Sequence, residues 1–289
     1  MSGRGVAATP DLCDPATLHA VARRVGLVAR HRLGQNFLID RAVLEHLVAA
    51  LAPEADDEVF EVGPGVGTLT GELAALARRV VAVDLDERCV AATRITQRAR
   101  NNVEVVQGDA LTVQPSALGL GEGWLAAGNI PYSITTPLLT RLFEMTVPPR
   151  RGVFLVQREV AARLAAPPGG WSLATVAVRS VATVERLRDV RPESFDPAPA
   201  VHSSVVRLEP SATLDADARQ SVLDIARAAF QMRRKTLRHG VTHAAGGDET
   251  LGMSWLAAAA IDPGRRPGTL DLDEWHRIAL AARTLRGGL

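Results

Sequence analysis

The chain has 289 residues and a mass of 30.8 kDa, room for about two domains whose cores need no disulfide or metal staple. Its composition, 47% hydrophobic and 22% charged, excludes collagen-like, coiled-coil and largely disordered classes. A net charge of +1 excludes a histone-like polycation, although a near-zero sum can hide a local basic face.

Residues 1–29 are expected to form an N-terminal extension carrying one short helix over Ala16–Val25, stopped by Gly26. Arg4, Arg23, Arg24 and Arg30 surround no central apolar run, so a secretory signal is not expected. No stretch approaches the ~18 consecutive apolar residues of a membrane span. Cys13 and Cys89 form no CxxC pair, and such sparse cysteine fits a reducing compartment. The expected location is the cytoplasm.

A helix capped by Asp40 puts Val43, Leu44, Leu47, Val48 and Leu51 on one face and ends before Pro53. Short apolar runs then alternate with helical stretches. Strands are predicted at Val59–Val62, Val80–Leu85, Val103–Val106, Trp124–Ala127 and Val153–Val156. Helices are predicted on Leu69, Leu73 and Leu76, over Glu87–Ala99, and on Leu138, Leu139, Leu142 and Phe143. This alternation implies an α/β fold, a mostly parallel sheet with helices on both faces. Val201–Leu208 reads as a last strand, broken by Pro210, and from Asp215 only helical periodicity remains. The expected division is a first domain over residues 1–209 and a small all-helical domain over 210–289.

The turn Gly63-Pro64-Gly65-Val66-Gly67 follows the first of the alternating strands. Glycines there let backbone approach a ligand, and the helix N-terminus beyond favours polar or anionic groups. The spacing is G-x-G-x-G, and neither reading frame yields the G-x-G-x-x-G of a dinucleotide site. Asp84 ends the next strand, about 20 residues on, where a carboxylate can take both ribose hydroxyls of a nucleoside. Asp109 closes the third strand on the same edge and can accept from an adenine amino group. An adenosyl ligand without a pyrophosphate is therefore expected, which points to S-adenosylmethionine.

Asn129-Ile130-Pro131-Tyr132 closes a fourth strand at the carboxyl edge, where open α/β sheets bind ligands. An exocyclic amine is a poor nucleophile because its lone pair is delocalised into the base. Two acceptors, the Asn129 side-chain oxygen and the Ile130 carbonyl, can draw such a nitrogen towards tetrahedral geometry. Pro131 stiffens the turn, and Tyr132 offers a face for a flipped-out base.

With these residues the chain resembles the KsgA-type small-subunit ribosomal RNA adenine N6-dimethyltransferases. The resemblance runs from about Arg30 to Ala282. It rests on Leu33-Gly34-Gln35-Asn36-Phe37-Leu38, Glu61-Val62-Gly63-Pro64-Gly65, Asp84, Gly108-Asp109 and Asn129-Ile130-Pro131-Tyr132. Phe195–Val206, Arg233-Arg234-Lys235-Thr236 and Ile261-Asp262-Pro263 extend it. Asp84 stands where the family often has glutamate, Ile130 where leucine is common, and His202 where aspartate is usual. The resemblance implies cofactor contacts on Asn36, Leu38, Gly63, Asp84, Asp109 and Asn129, with Gly65 in the same turn. It implies methyl transfer to two adjacent adenosines of small-subunit ribosomal RNA within a pre-ribosomal particle, by a monomer. Arg233, Arg234, Lys235 and Arg238 are expected on a basic helix that contacts RNA phosphates. His239 and His243 stand four apart, but Gly240 intervenes and no third ligand is near, so no metal is expected.

Three alternatives remain. An Erm-type enzyme acting on large-subunit RNA shares the Gln-Asn-Phe and Asn-Ile-Pro-Tyr motifs, and the second domain separates the two kinds. A non-catalytic RNA-binding assembly factor is disfavoured by the intact Asn129 and Tyr132. A nicotinamide oxidoreductase is disfavoured by the glycine spacing.

Overall fold

A computed structural model of the chain describes residues 10–28, 35–211, 214–232 and 234–286. Leu33, Gly34 and Arg233 of the sequence motifs lie outside the described residues. Helix α1 (Pro15–Arg24) begins at Asp14, whose carboxylate accepts from the Ala16 and Thr17 N–H groups. A two-residue strand, β1 (Phe37–Leu38), leads into α2 (Arg41–Leu51), capped in the same way by Asp40. Then follow β2 (Glu58–Val62), α3 (Thr68–Leu76), β3 (Arg79–Asp84), α4 (Glu87–Thr96) and β4 (Val103–Gln107). β5 (Leu125–Asn129), α5 (Thr135–Glu144) and β6 (Arg151–Gln157) complete the alternating part. The chain continues through α6 (Arg158–Leu164), α7 (Leu173–Arg179), β7 (Ala182–Val190), β8 (Phe195–Asp196) and β9 (Ser203–Pro210). It ends in α8 (Ala216–Gln231), α9 (Leu237–Ala244), α10 (Glu249–Ala258) and α11 (Leu272–Arg286).

The main sheet has the strand order β4-β3-β2-β5-β6-β9-β7. Pairing is parallel from β4 through β6, and β9 joins β6 antiparallel. Strands buried on both faces read as continuous apolar runs, as Val59-Phe60 and Val80-Val81-Ala82-Val83 do. The core packs Leu44, Leu47, Leu73, Val80, Leu125, Leu155 and Val205 together. Strand order reverses between β2 and β5: the chain moves outward through β3 and β4, then restarts on the other side of β2. The crevice beyond the carboxyl ends of these strands is where an open α/β sheet holds its ligand. In the extension, Leu12, Leu18, Ala22 and Leu27 pack with Phe37, Val66, Cys89 and Ala92, so α1 buttresses the turn after β2.

Two departures from the sequence expectation concern the strand β7 and the domain boundary. β7 was not anticipated: Thr183, Glu185, Arg186, Arg188 and Asp189 are exposed and mask the alternation of Ala182 and Val184. That pattern suits the edge of a sheet, where charged side chains discourage further pairing. The single cut before residue 210 also changes. The compact units are Met1–Ala161 with Glu185–Pro210, and Ala162–Val184 with Ser211–Leu289. The inserted segment joins the helical unit because Trp171 and Val176 share a core with Val222, Ala226, Trp255 and Trp275. Backbone bonds reinforce it, with Gly169 and Trp171 N–H both donating to the Gly268 carbonyl. Among the described residues, no helix is long and apolar enough to cross a membrane.

Candidate active site

β2 hands the chain to α3 through three glycines, Gly63, Gly65 and Gly67, at φ +69°, +62° and +93°. A Cβ at Gly65 would lie 2.8 Å from Phe37 Cδ1, so the Gln35–Leu38 segment can close over the turn only where no side chain intervenes. This turn, that segment and the ends of β3, β4 and β5 enclose a cavity of about 240 Å³. Asn36, Leu38, Gly63, Gly65, Asp84, Asp109, Asn129 and Pro131 all line it.

The carboxylates are partly committed. Asp84 Oδ1 accepts from Asp86 N–H at 2.9 Å, and its Oδ2 is held loosely by Gly65 N–H at 3.4 Å. Burial raises the Asp84 carboxyl above its usual range. Asp109 Oδ1 accepts from Leu111 N–H at 2.8 Å, which leaves Oδ2 for a ligand amine. Asn129 Nδ2 donates to the Asn36 carbonyl at 2.7 Å. A carbonyl only accepts, so this bond fixes which end of the amide is which and leaves Oδ1 as the remaining acceptor.

The other two members of the tetrapeptide lie elsewhere. Ile130 is buried, with its N–H donating to the Leu155 carbonyl at 3.1 Å. The Tyr132 hydroxyl lies 3.0 Å from Ser203 Oγ. Sequence reasoning passed over Glu61, which also lines the cavity, is 1% exposed, and has Oε2 without a partner. Burial pushes its carboxyl up to about 8, and the Asp84 charge adds to the rise. Its signal was present: a lone acid inside the apolar run Val59-Phe60-Glu61-Val62.

A model of the ribosomal RNA adenine dimethylase family matches residues 26–282. The chain belongs to that family. It is similar to ribosomal RNA small subunit methyltransferase A of Geobacter metallireducens, 39% identical over 274 residues, covering 92% of this chain and 99% of the relative. The protein of the same name from Pseudomonas fluorescens is 37% identical over 256 residues, covering 87% and 93%. Among solved structures, the 23S rRNA methyltransferase ErmE superposes with a TM-score of 0.68 at 26% identity, covering 86% of this chain and 100% of that one. A dimethyladenosine transferase from Plasmodium falciparum shares the fold, with a TM-score of 0.72 at 24% identity and coverage of 86% and 98%.

The basic segment of this dimethylase is not a continuous helix. α8 ends at Gln231 and α9 begins at Leu237, so Arg234 and Lys235 sit in the turn between them. Arg238 lies in α9, where it forms an ion pair with Glu249. No buried side chain lies between Phe230 and Leu237 among the described residues, so a helix there would have no face to pack. Arg234, Lys235 and Arg238 are exposed. The histidine pair of the basic segment has protein partners: His239 Nδ1 lies 3.1 Å from Thr236 Oγ1, and His243 Nε2 lies 2.7 Å from Gln231 Oε1.

Proposed function

We propose that this dimethylase methylates N6 of two adjacent adenosines near the 3′ end of small-subunit ribosomal RNA. S-adenosylmethionine is the methyl donor, and the setting is a cytoplasmic pre-ribosomal particle on which one copy of the chain acts. The donor supplies an electrophilic methyl group on a sulfonium sulfur. The cavity suits it: a turn that a Cβ would obstruct, two carboxylates at successive strand ends, and a buried Glu61 oxygen still without a donor. Asp84 would take the ribose hydroxyls and Asp109 the adenine amine, while Asn36, Leu38, Gly63 and Gly65 shape the walls.

The observation that carries the reading is the Asn129 amide, locked by the Asn36 carbonyl with Oδ1 turned to accept. In the first transfer Asn129 Oδ1 and the Ile130 carbonyl accept the two N–H bonds of the target amine and aim its lone pair, and in the second one of them accepts the single N–H that remains. As the new N–C bond forms at the expense of the bond from methyl to the sulfonium sulfur, the amine becomes strongly acidic and its proton passes to water, so no general base is needed. Pro131, at φ −53°, stiffens the turn, and the Tyr132 ring stacks the flipped base. Arg233, Arg234, Lys235 and Arg238 of the helical unit contact phosphates, which positions RNA without reading its sequence.

The test is incubation with labelled donor and separated small and large ribosomal particles that lack the modification. Labelled N6,N6-dimethyladenosine in small-subunit RNA is the expected product. Label confined to the large subunit would replace this reading with the Erm-type one, and no label on either would leave a non-catalytic assembly factor.

A further inference from the structure

We propose that Ser203 is a positioning residue for methyl transfer: its hydroxyl, bonded to the Tyr132 hydroxyl at 3.0 Å, holds the aromatic ring at the angle the target base requires. This rests on the reading of Tyr132 as the stacking platform. A stacking surface needs only a ring, and phenylalanine would provide one. The phenol oxygen therefore has separate work, and its partner is Ser203. The rest of the Tyr132 backbone is already constrained. Pro131 fixes φ at −53° on one side, and Ile134 N–H bonds to the Pro131 carbonyl at 3.1 Å on the other. The ring torsions are what the tetrapeptide itself leaves unset.

Ser203 is suited to set them. It is the first residue of β9, paired opposite Gln157 at the end of β6, so two strands anchor its backbone. It is 1% exposed. A hydroxyl buried that deeply costs stability unless it is bonded. The next residue, Ser204, has a different partner, Asp189 Oδ1 at 2.6 Å, as expected where successive strand side chains point to opposite faces. Ser203 thus holds Tyr132 from a rigid strand.

Tyr132 is the single tyrosine of the chain, which makes the contact directly observable. Protein labelled with [ζ-13C]tyrosine gives one resonance. Ser203→Ala is expected to move that resonance towards the position of a solvated phenol, and Ser203→Thr, which keeps the hydroxyl, to return it towards wild type. In single turnover at saturating donor and small-subunit particle, Ser203→Ala should lower the rate about threefold to tenfold, the worth of one hydrogen bond. Donor affinity should stay unchanged, which also reports a folded variant. Tyr132→Phe should lose a similar factor, and the double variant no more than either single one, because all three break the same bond. An unmoved resonance overturns the contact. A moved resonance with an unchanged rate, or with losses that multiply, overturns the positioning role. If wild type itself leaves the particle unmethylated, the reading of the tetrapeptide fails and this proposal falls with it.

Discussion

The cavity at the carboxyl edge of the sheet and the cationic turn between α8 and α9 are both short runs of sequence, but they are built differently. At the cavity, each candidate side chain is fixed by a neighbour: Asn129 by the Asn36 carbonyl, Asp109 by Leu111 N–H, Asp84 by Asp86 N–H. In the turn Arg234 and Lys235 are exposed, and just beyond it Arg238 pairs with an exposed Glu249. Preorganised donors and acceptors suit a reaction in which small displacements change the rate. Long cations on a turn suit a polyanion whose phosphates can be met in more than one arrangement. Substitutions at the cavity should therefore change chemistry or donor binding in large steps, and substitutions in the turn should change substrate affinity gradually and with salt.

The largest effect short of catalysis itself is expected at Glu61. Its carboxyl is raised from 4.5 to about 8 in the folded chain, so the folded state holds a proton that the unfolded state releases above its own lower value. Stability is therefore lost as pH rises through that interval. Glu61→Gln removes the titration, so between about pH 5 and pH 8 the variant should gain roughly 3 kcal/mol relative to wild type in the absence of donor. Urea unfolding at the two pH values measures this, and a constant difference would show that Glu61 does not titrate within the interval.

Asp84→Ala comes next. Hydrogen bonds to a charged group are worth roughly 1.5–3 kcal/mol, so donor affinity should fall about 10- to 100-fold. Calorimetry reads the loss, and unchanged affinity in a folded variant removes Asp84 from the ribose. The smallest effect belongs to the turn. Replacing Arg233, Arg234 and Lys235 together by alanine should leave donor affinity unchanged and raise the apparent KM for the particle more than it lowers kcat. If two phosphate contacts are lost, the slope of log affinity against log salt should become shallower by about 1.4–1.8. Equal slopes would mean a solvated face and would move the RNA contacts to the sheet-bearing unit.

The same contrast explains how much of the molecule was legible in its sequence. Gly63, Asp84, Asp109 and Asn129 could be placed because buried parallel strands announce themselves as apolar runs, and their ends fall on one edge by topology. Glu61 was visible as a letter but not as a cavity residue, since only the fold shows its Oε2 without a partner. Ser203 was hidden for another reason. Its partner Tyr132 lies 71 residues earlier, and no periodicity encodes a contact of that range. β7 escaped because edge-strand charges interrupt its alternation, and α7 because its apolar face serves the helical core rather than the sheet. The basic run was legible as charge and misplaced as structure. Three consecutive cations say nothing about whether a helix continues through them.

The claim that the locked Asn129 amide performs the chemistry is tested most directly by Asn129→Ala, with three constants measured on one preparation. These are the single-turnover methylation rate at saturating donor and particle, the donor Kd, and the particle Kd. The rate should fall by roughly 10²–10³, the usual cost of removing one positioned polar group, while particle affinity holds and donor affinity changes by only a few-fold. A folded variant that keeps a near-wild-type single-turnover rate, or whose whole loss is recovered by adding donor, would contradict it.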